Sequence, residues 1–195
     1  MLKRLSLAAA ILAAATAPAF AHLDPDAHGS FMAGFSHPLF GLDHILAMVA
    51  VGLWAAQIAR EDKSNRALWV VPSAFVGTMA IGFLLALSGI GLPFVEPAIL
   101  ASVIGLGLLV AMAVKLPVSA SAVIVGVFAL FHGHAHGGEL GTAGALQFGI
   151  GFAIATAFLH VAGIALGLGI SRFAPSVTRI AGAATALLGL SLVFG

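Results

Sequence analysis

HPLFGLDHILAMVAVGLWAAQIAR, residues 37–60, decides the fold. From Ile45 to Ala59 every side chain is apolar except Gln57 and the indole of Trp54. A run of about 20 such residues crosses a bilayer. In lipid, only a helix satisfies every backbone N–H and C=O within a single segment. The two ends of the run differ. His37, Asp43 and His44 stand at its start and Arg60 at its end. The same asymmetry recurs along the chain.

Outward from this stretch, six apolar segments run roughly over 39–59, 67–90, 97–114, 120–136, 142–170 and 180–194. The 195 residues are 61% hydrophobic and only 8% charged, whereas a soluble domain carries about a quarter charged residues. The expected class is an all-α membrane protein, a bundle of about six transmembrane helices forming one domain over 37–195. A leader precedes it. Lys3 and Arg4 are followed by a short apolar core and by Ala19-Phe20-Ala21, a small-x-small cleavage site,. Residues 1–21 therefore read as a cleavable signal peptide, with an uncleaved anchor as the competing reading. Residues 22–36 read as a periplasmic N-terminal arm.

With the mature N-terminus outside a bacterial inner membrane, Arg60, Lys63, Arg66, Lys115, Arg172 and Arg179 all fall in inner loops, as the positive-inside bias requires. Asp24, Asp26, Asp43, Glu96 and Glu139 fall outside, together with His22, His28, His37, His44, His132, His134 and His136. An outer face rich in carboxylates and free of fixed cations draws in metal ions. A net charge of +1 gives no case for nucleic acid, and the absence of cysteine excludes disulfides and thiolate metal sites,. Gly163-x-x-x-Gly167 and the looser Gly82-x-x-x-Ala86 mark close helix packing,.

Two constellations carry the chemistry. In the first, Pro38 suits the first turn of a helix, which puts His37 near the N-cap. At about 100° per residue, His37 and His44 then share a face, with Asp43 beside them. The competing reading is that His37 caps the helix and Asp43 bonds nearby backbone. The second is Phe131-His132-Gly133-His134-Ala135-His136-Gly137-Gly138-Glu139. His132 and His136 are i, i+4 neighbours, a spacing suited to one metal ion, and Glu139 joins them if the helix continues. If Gly137-Gly138 ends the helix, Glu139 sits on a gate instead. His134 points the other way. The competing reading is a solvated His-rich turn. His22, with the α-amine freed by cleavage, is a further chelating candidate, against a plain polar linker. His160 lies deep in the fifth span, near Thr156, where an ionisable group marks either a pathway or a packing residue. Met48, one turn from His44, is either a soft weak ligand or core. Nitrogen and oxygen donors without thiolate suit Ni²⁺, Co²⁺ or Zn²⁺ better than Cu⁺.

His37-Pro38, Gly41, Asp43-His44 and Met48, with Phe131-His132-Gly133, Ala135-His136-Gly137 and Glu139, together resemble the HupE/UreJ family of nickel/cobalt permeases. The resemblance covers the whole mature chain. It implies a secondary permease or facilitator that imports Ni²⁺ or Co²⁺, is not an enzyme, and has no resident cofactor. It also implies metal roles for His37, Asp43, His44, His132, His136 and Glu139, and a further family feature at His160. A lipid bilayer and a divalent transition-metal ion are the implied partners, with a cytoplasmic metallochaperone as a compatible acceptor. Two features depart from the pattern. Leu140-Gly141 follows Glu139 where the family often has proline, and five residues separate His37 from Asp43 where better-known nickel/cobalt transporters have four. The alternative function is a zinc-dependent intramembrane hydrolase, with His132, His136 and Asp43 around a zinc-activated water. Paired axial histidines on haem are a third reading.

Overall fold

The computed structural model describes residues 30–138, 140, 143–170 and 174–194. The proposed signal peptide, His22, His28 and Glu139 lie outside the described residues. Among those described there are seven helices and no strand: α1 (Ser30–Phe40), α2 (Leu42–Glu61), α3 (Arg66–Leu87), α4 (Val95–Ala111), α5 (Val118–Gly138), α6 (Ala145–Ile170) and α7 (Pro175–Phe194). Five of them, α2, α3, α5, α6 and α7, are long and apolar enough to cross a membrane, while α4 is apolar but shorter. Trp69, Leu84, Phe94, Val123, Leu146, Phe158 and Leu187 are exposed. An apolar exterior on this scale has to face something other than water, and hydrocarbon meets that condition.

α2 is the central helix. Two thirds of its span is buried (67%), against 22% for α3. Its Met48, Val51 and Trp54 join Phe75, Leu106 and Phe152 among the largest fully buried side chains. Helix pairs α3–α5, α2–α6 and α4–α7 are the most closely packed, and α1 lies along α6. Glycine permits that closeness. A Cβ on Gly133 would strike the Met79 carbonyl of α3, and one on Gly163 would strike the Val49 carbonyl of α2. A Cβ on Gly167 would meet Ala56 of α2, so the Gly-x-x-x-Gly face is the α2–α6 seam. In lipid, where burial of apolar area gives little drive between helices, such backbone contact supplies the dispersion that holds them.

The first motif does not start a helix. Pro38 lies inside α1, and His37 and Pro38 occupy its last turns. The chain breaks at Gly41, whose extended backbone (φ −79°, ψ 115°) caps α2. His37 and His44 therefore approach each other across a break between two helices, not along one helical face. Proline is tolerated in a first turn because its missing N–H is an orphan there anyway. Further along a helix it costs a bond to the carbonyl four residues earlier, which here is that of Gly34. Residues 30–36, placed in the arm by the sequence, are helical and pack on α6, with Gly34 against the Phe148 backbone.

At the opposite end of α2, carbonyls at the end of α4 and just past it are taken up by side chains. Trp54 Nε1 donates to Val114 O at 2.9 Å, Gln57 Nε2 to Val110 O at 3.1 Å and Arg179 Nε to Ala111 O at 2.8 Å. An exposed Lys115–Glu61 pair at 2.6 Å sits at the same end. Arg60 follows His44 by 16 positions along α2, or about 24 Å of helix. The described basic side chains and the histidine motifs thus occupy opposite ends of the bundle.

Candidate metal centre

Three helices deliver imidazoles to one point. His37 comes from the end of α1, His44 from the first turn of α2 and His136 from the last turn of α5, and all three are buried. One ring nitrogen from each lies within 4.8 Å of the other two. Ring centroids are 4.3 Å apart for His37–His136, 4.6 Å for His44–His136 and 5.4 Å for His37–His44. His44 Nε2 and His136 Nε2 face each other at 2.5 Å. Two imidazole nitrogens that close need a proton or a cation between their lone pairs.

The second nitrogens of the rings have neighbours of their own. Asp43 Oδ1 is 2.8 Å from His44 Nδ1. A negative charge at that distance favours the tautomer with the proton on Nδ1 and the lone pair on Nε2, as outer carboxylates do for metal-binding histidines,. Asp43 accordingly stands behind His44, outside the three-nitrogen group. Gly41 makes room for this pair. A Cβ at that position would lie 2.8 Å from His44 Nδ1 and 3.0 Å from Asp43 Oδ1.

His132, one turn deeper on α5, is fully buried, with its ring 5.3 Å from that of His44. Its Nε2 lies 2.9 Å from Ser102 Oγ of α4. The serine hydroxyl already donates to Ile99 O at 2.6 Å. Having one proton, it must accept from His132 Nε2–H, which leaves the lone pair on His132 Nδ1. That nitrogen is buried and has no hydrogen-bond partner among the described residues. Ser102 is a residue the sequence reading missed. A serine within a span ordinarily bonds back to its own helix, so nothing in the spacing marks it as a partner for a histidine.

Phe148 and Phe152 of α6 wall the centre, with the Phe152 ring 4.6 Å from that of His136. No such role is legible in the sequence, where both read as span residues. His134 faces away, and its Nε2 donates to Ile90 O at 2.8 Å. Met48 is fully buried in the apolar core. His160 is also buried, eight residues beyond Phe152 on α6, or about 12 Å deeper along the helix,. The structure thus groups His37, His44 and His136, sets Asp43 and His132 against His44, and holds His160 apart.

An all-helical, multi-pass membrane protein with a buried histidine cluster at one end of its bundle is the class that fold and site define together. The chain belongs to the HupE/UreJ family: the family described as "HupE / UreJ protein" matches residues 9–192. It is similar to "Protein HupE" of Rhizobium leguminosarum bv. viciae, 49% identical over 189 residues, which cover 94% of this chain and 95% of that protein. No solved structure matches.

Proposed function

We propose that the chain is a secondary permease or facilitator that imports Ni²⁺, or Co²⁺, across the bacterial inner membrane, with His37, His44 and His136 as the first ligands of the arriving ion. The observation that carries this reading is the convergence of three buried imidazoles from three helices at the end of the bundle away from the described basic side chains. Imidazole nitrogen is a good donor for Ni²⁺, Co²⁺ and Zn²⁺. The choice of nickel or cobalt over zinc follows the family resemblance. Asp43, held against His44, offsets part of the dication's charge as it leaves water,. Glu139, just past the end of α5, is the second acid in position to do so by sequence.

The ion is cargo, so the site must bind it weakly enough to let it go. Phe148 and Phe152 keep bulk water from the inner side of the ring cluster, and His132 offers the next lone pair one turn further in. The orientation, with the mature N-terminus and the cluster periplasmic, rests on the charge bias of the loops. The hydrolase alternative gains nothing from the family. The test is uptake of radioactive nickel by cells expressing the wild type, His44→Ala or His136→Ala, with cobalt and zinc as competitors. Import should fall to background in both variants at equal protein level. Normal uptake by both would refute the ligand assignment, and no uptake by the wild type would refute the transport reading.

A further inference from the structure

The sequence puts most of α1 in an arm outside the membrane, and its packing on α6 gives it another place. Ser30 Oγ accepts the Gly144 N–H at 2.7 Å, and a Cβ on Gly34 would strike the Phe148 carbonyl. Further along α6, a Cβ on Gly163 would strike the Val49 carbonyl, and one on Gly167 would meet Ala56. Residue numbers rise together on both sides, so α1 and α2 follow α6 in one direction, one after the other. α6 has 26 residues, about 39 Å of helix,. α2 joins it only near Phe152, whose ring is 5.9 Å from that of His44. The outer stretch of α6 belongs to α1.

The exterior of α1 fits that course. His37 is the only ionisable residue between Ser30 and Leu42. Phe31, Met32 and Phe40 are exposed, and on the outer stretch of α6 Leu146 and Ile150 are exposed as well. In water these side chains would form an unprotected apolar patch. At Gly41 the helical ladder stops. Gly41 N–H bonds back to His37 O and Ile45 N–H to Gly41 O, but no backbone bond ties the N–H groups of Leu42, Asp43 or His44 to α1. Broken backbone at membrane depth is tolerated only where protein buries it or water reaches it. Pro38 and Gly41 are buried, and the Asp43 side chain keeps 28% of its exposure.

We propose that α1 and α2 are the two halves of one interrupted transmembrane helix, with the exposed side of α1 against the lipids of the outer leaflet and the three-histidine cluster at the interruption. Seven positions of helix separate Ser30 from His37, which sets the cluster about 10 Å below the level where α1 and α6 begin. Transporters commonly build their binding sites at such interruptions. A well open to the outer side then leads down to Asp43, and an ion sheds its water below the membrane surface. The well rests on the cluster being the entry site for the cation; the placement of α1 does not.

The chain has no cysteine, so a single introduced thiol can carry a fluorophore without background. Met32→Cys, Phe40→Cys and, as a control within the α7 span, Leu187→Cys are labelled in the full chain in lipid nanodiscs. Their depth is read by quenching with lipids that carry a nitroxide at the headgroup or at a shallow or deep acyl position. Met32→Cys should respond to headgroup and shallow nitroxides and Phe40→Cys to deeper ones, with a difference in depth of about 10 Å, the rise of eight helical residues less some tilt. Thermal melting checks folding; Phe31→Cys and Leu42→Cys, also exposed, stand in for either α1 variant that fails to fold. Equal depth for the two α1 labels would mean a helix lying flat on the surface. No lipid quenching of either, with Leu187→Cys still quenched, would mean an arm in water. Either result would overturn the interrupted helix and leave the nickel reading untouched. Loss of quenching at Leu187→Cys as well would overturn the membrane placement and the transport reading together.

Discussion

Replacing Asp43 by Asn preserves side-chain size and removes one negative charge from a defined place. The Oδ1 atom is 2.8 Å from His44 Nδ1. With an imidazole about 2.2 Å across between its nitrogens and a metal–nitrogen bond of about 2.1 Å, the carboxylate stands about 7 Å from the ion. At an effective dielectric of about 20, two unit charges at that distance interact by about 2 kcal/mol. The dication doubles this, and partial exposure of the side chain (28%) takes some of it back. The amide also loses control of the tautomer. Its NH₂ can turn toward Nδ1 and drive the proton to Nε2, the atom needed for the metal. Loss of an outer-shell partner ordinarily weakens metal binding by about 10–100-fold, or about 1.4–2.8 kcal/mol, so the bare charge figure is an upper bound. Nickel affinity measured by competition with a calibrated chelator, at pH 7.5 and fixed ionic strength, should fall by that factor. Asp43→Glu, which restores the charge with a longer reach, should recover part of it. Affinity unchanged in Asp43→Asn would refute the orienting role, and complete loss would mean that the carboxylate itself binds the metal.

Four further outcomes are expected. Nickel affinity should be lower at pH 5.5 than at pH 7.5 in chelator competition, because protons compete with the metal for the imidazole lone pairs, and an affinity that does not fall would count against these ligands. Ser102→Ala leaves His132 Nε2–H without its acceptor, and thermal denaturation in nanodiscs should show a destabilisation of about 1–3 kcal/mol with the outer ligands still able to bind. Gly133→Ala drives a methyl into the Met79 carbonyl and should destabilise by about 1–3 kcal/mol in the same assay, the usual cost of overpacking. Ala113→Gly should stabilise by about 1 kcal/mol, since Ala113 sits at φ 50° just past the end of α4, where glycine avoids the left-handed penalty,.

Much of the scaffold is legible because lipid leaves the chain few options. An apolar run such as 45–59 has to be helical, and the five long helices and α4 each overlap one of the six apolar segments read from the sequence, with ends that differ by up to five residues. α1 was not legible. His37-Pro38 fits a helix start by local rules, and only the packing of Gly34 and Gly151 between α1 and α6 reveals a helix that ends there. The site was legible in part for a different reason. The i, i+4 spacing puts His132 and His136 on one face of α5, but the three-nitrogen group takes only His136 of the two. That His44 and His136, 92 positions apart, meet nitrogen to nitrogen depends on how α2 and α5 pack in the bundle, and no local period encodes that. The place of Asp43 against the His44 ring depends on the break at Gly41. Ser102 carried no sequence signal.

X-ray absorption at the nickel edge of the purified, metal-loaded chain tests the three-imidazole site most directly. The account predicts a first shell of nitrogen and oxygen, with outer-shell scattering from at least three imidazole rings that drops by about one ring in His136→Ala. A shell of water and carboxylate oxygen without ring scattering, or an unchanged ring count in that variant, would contradict it.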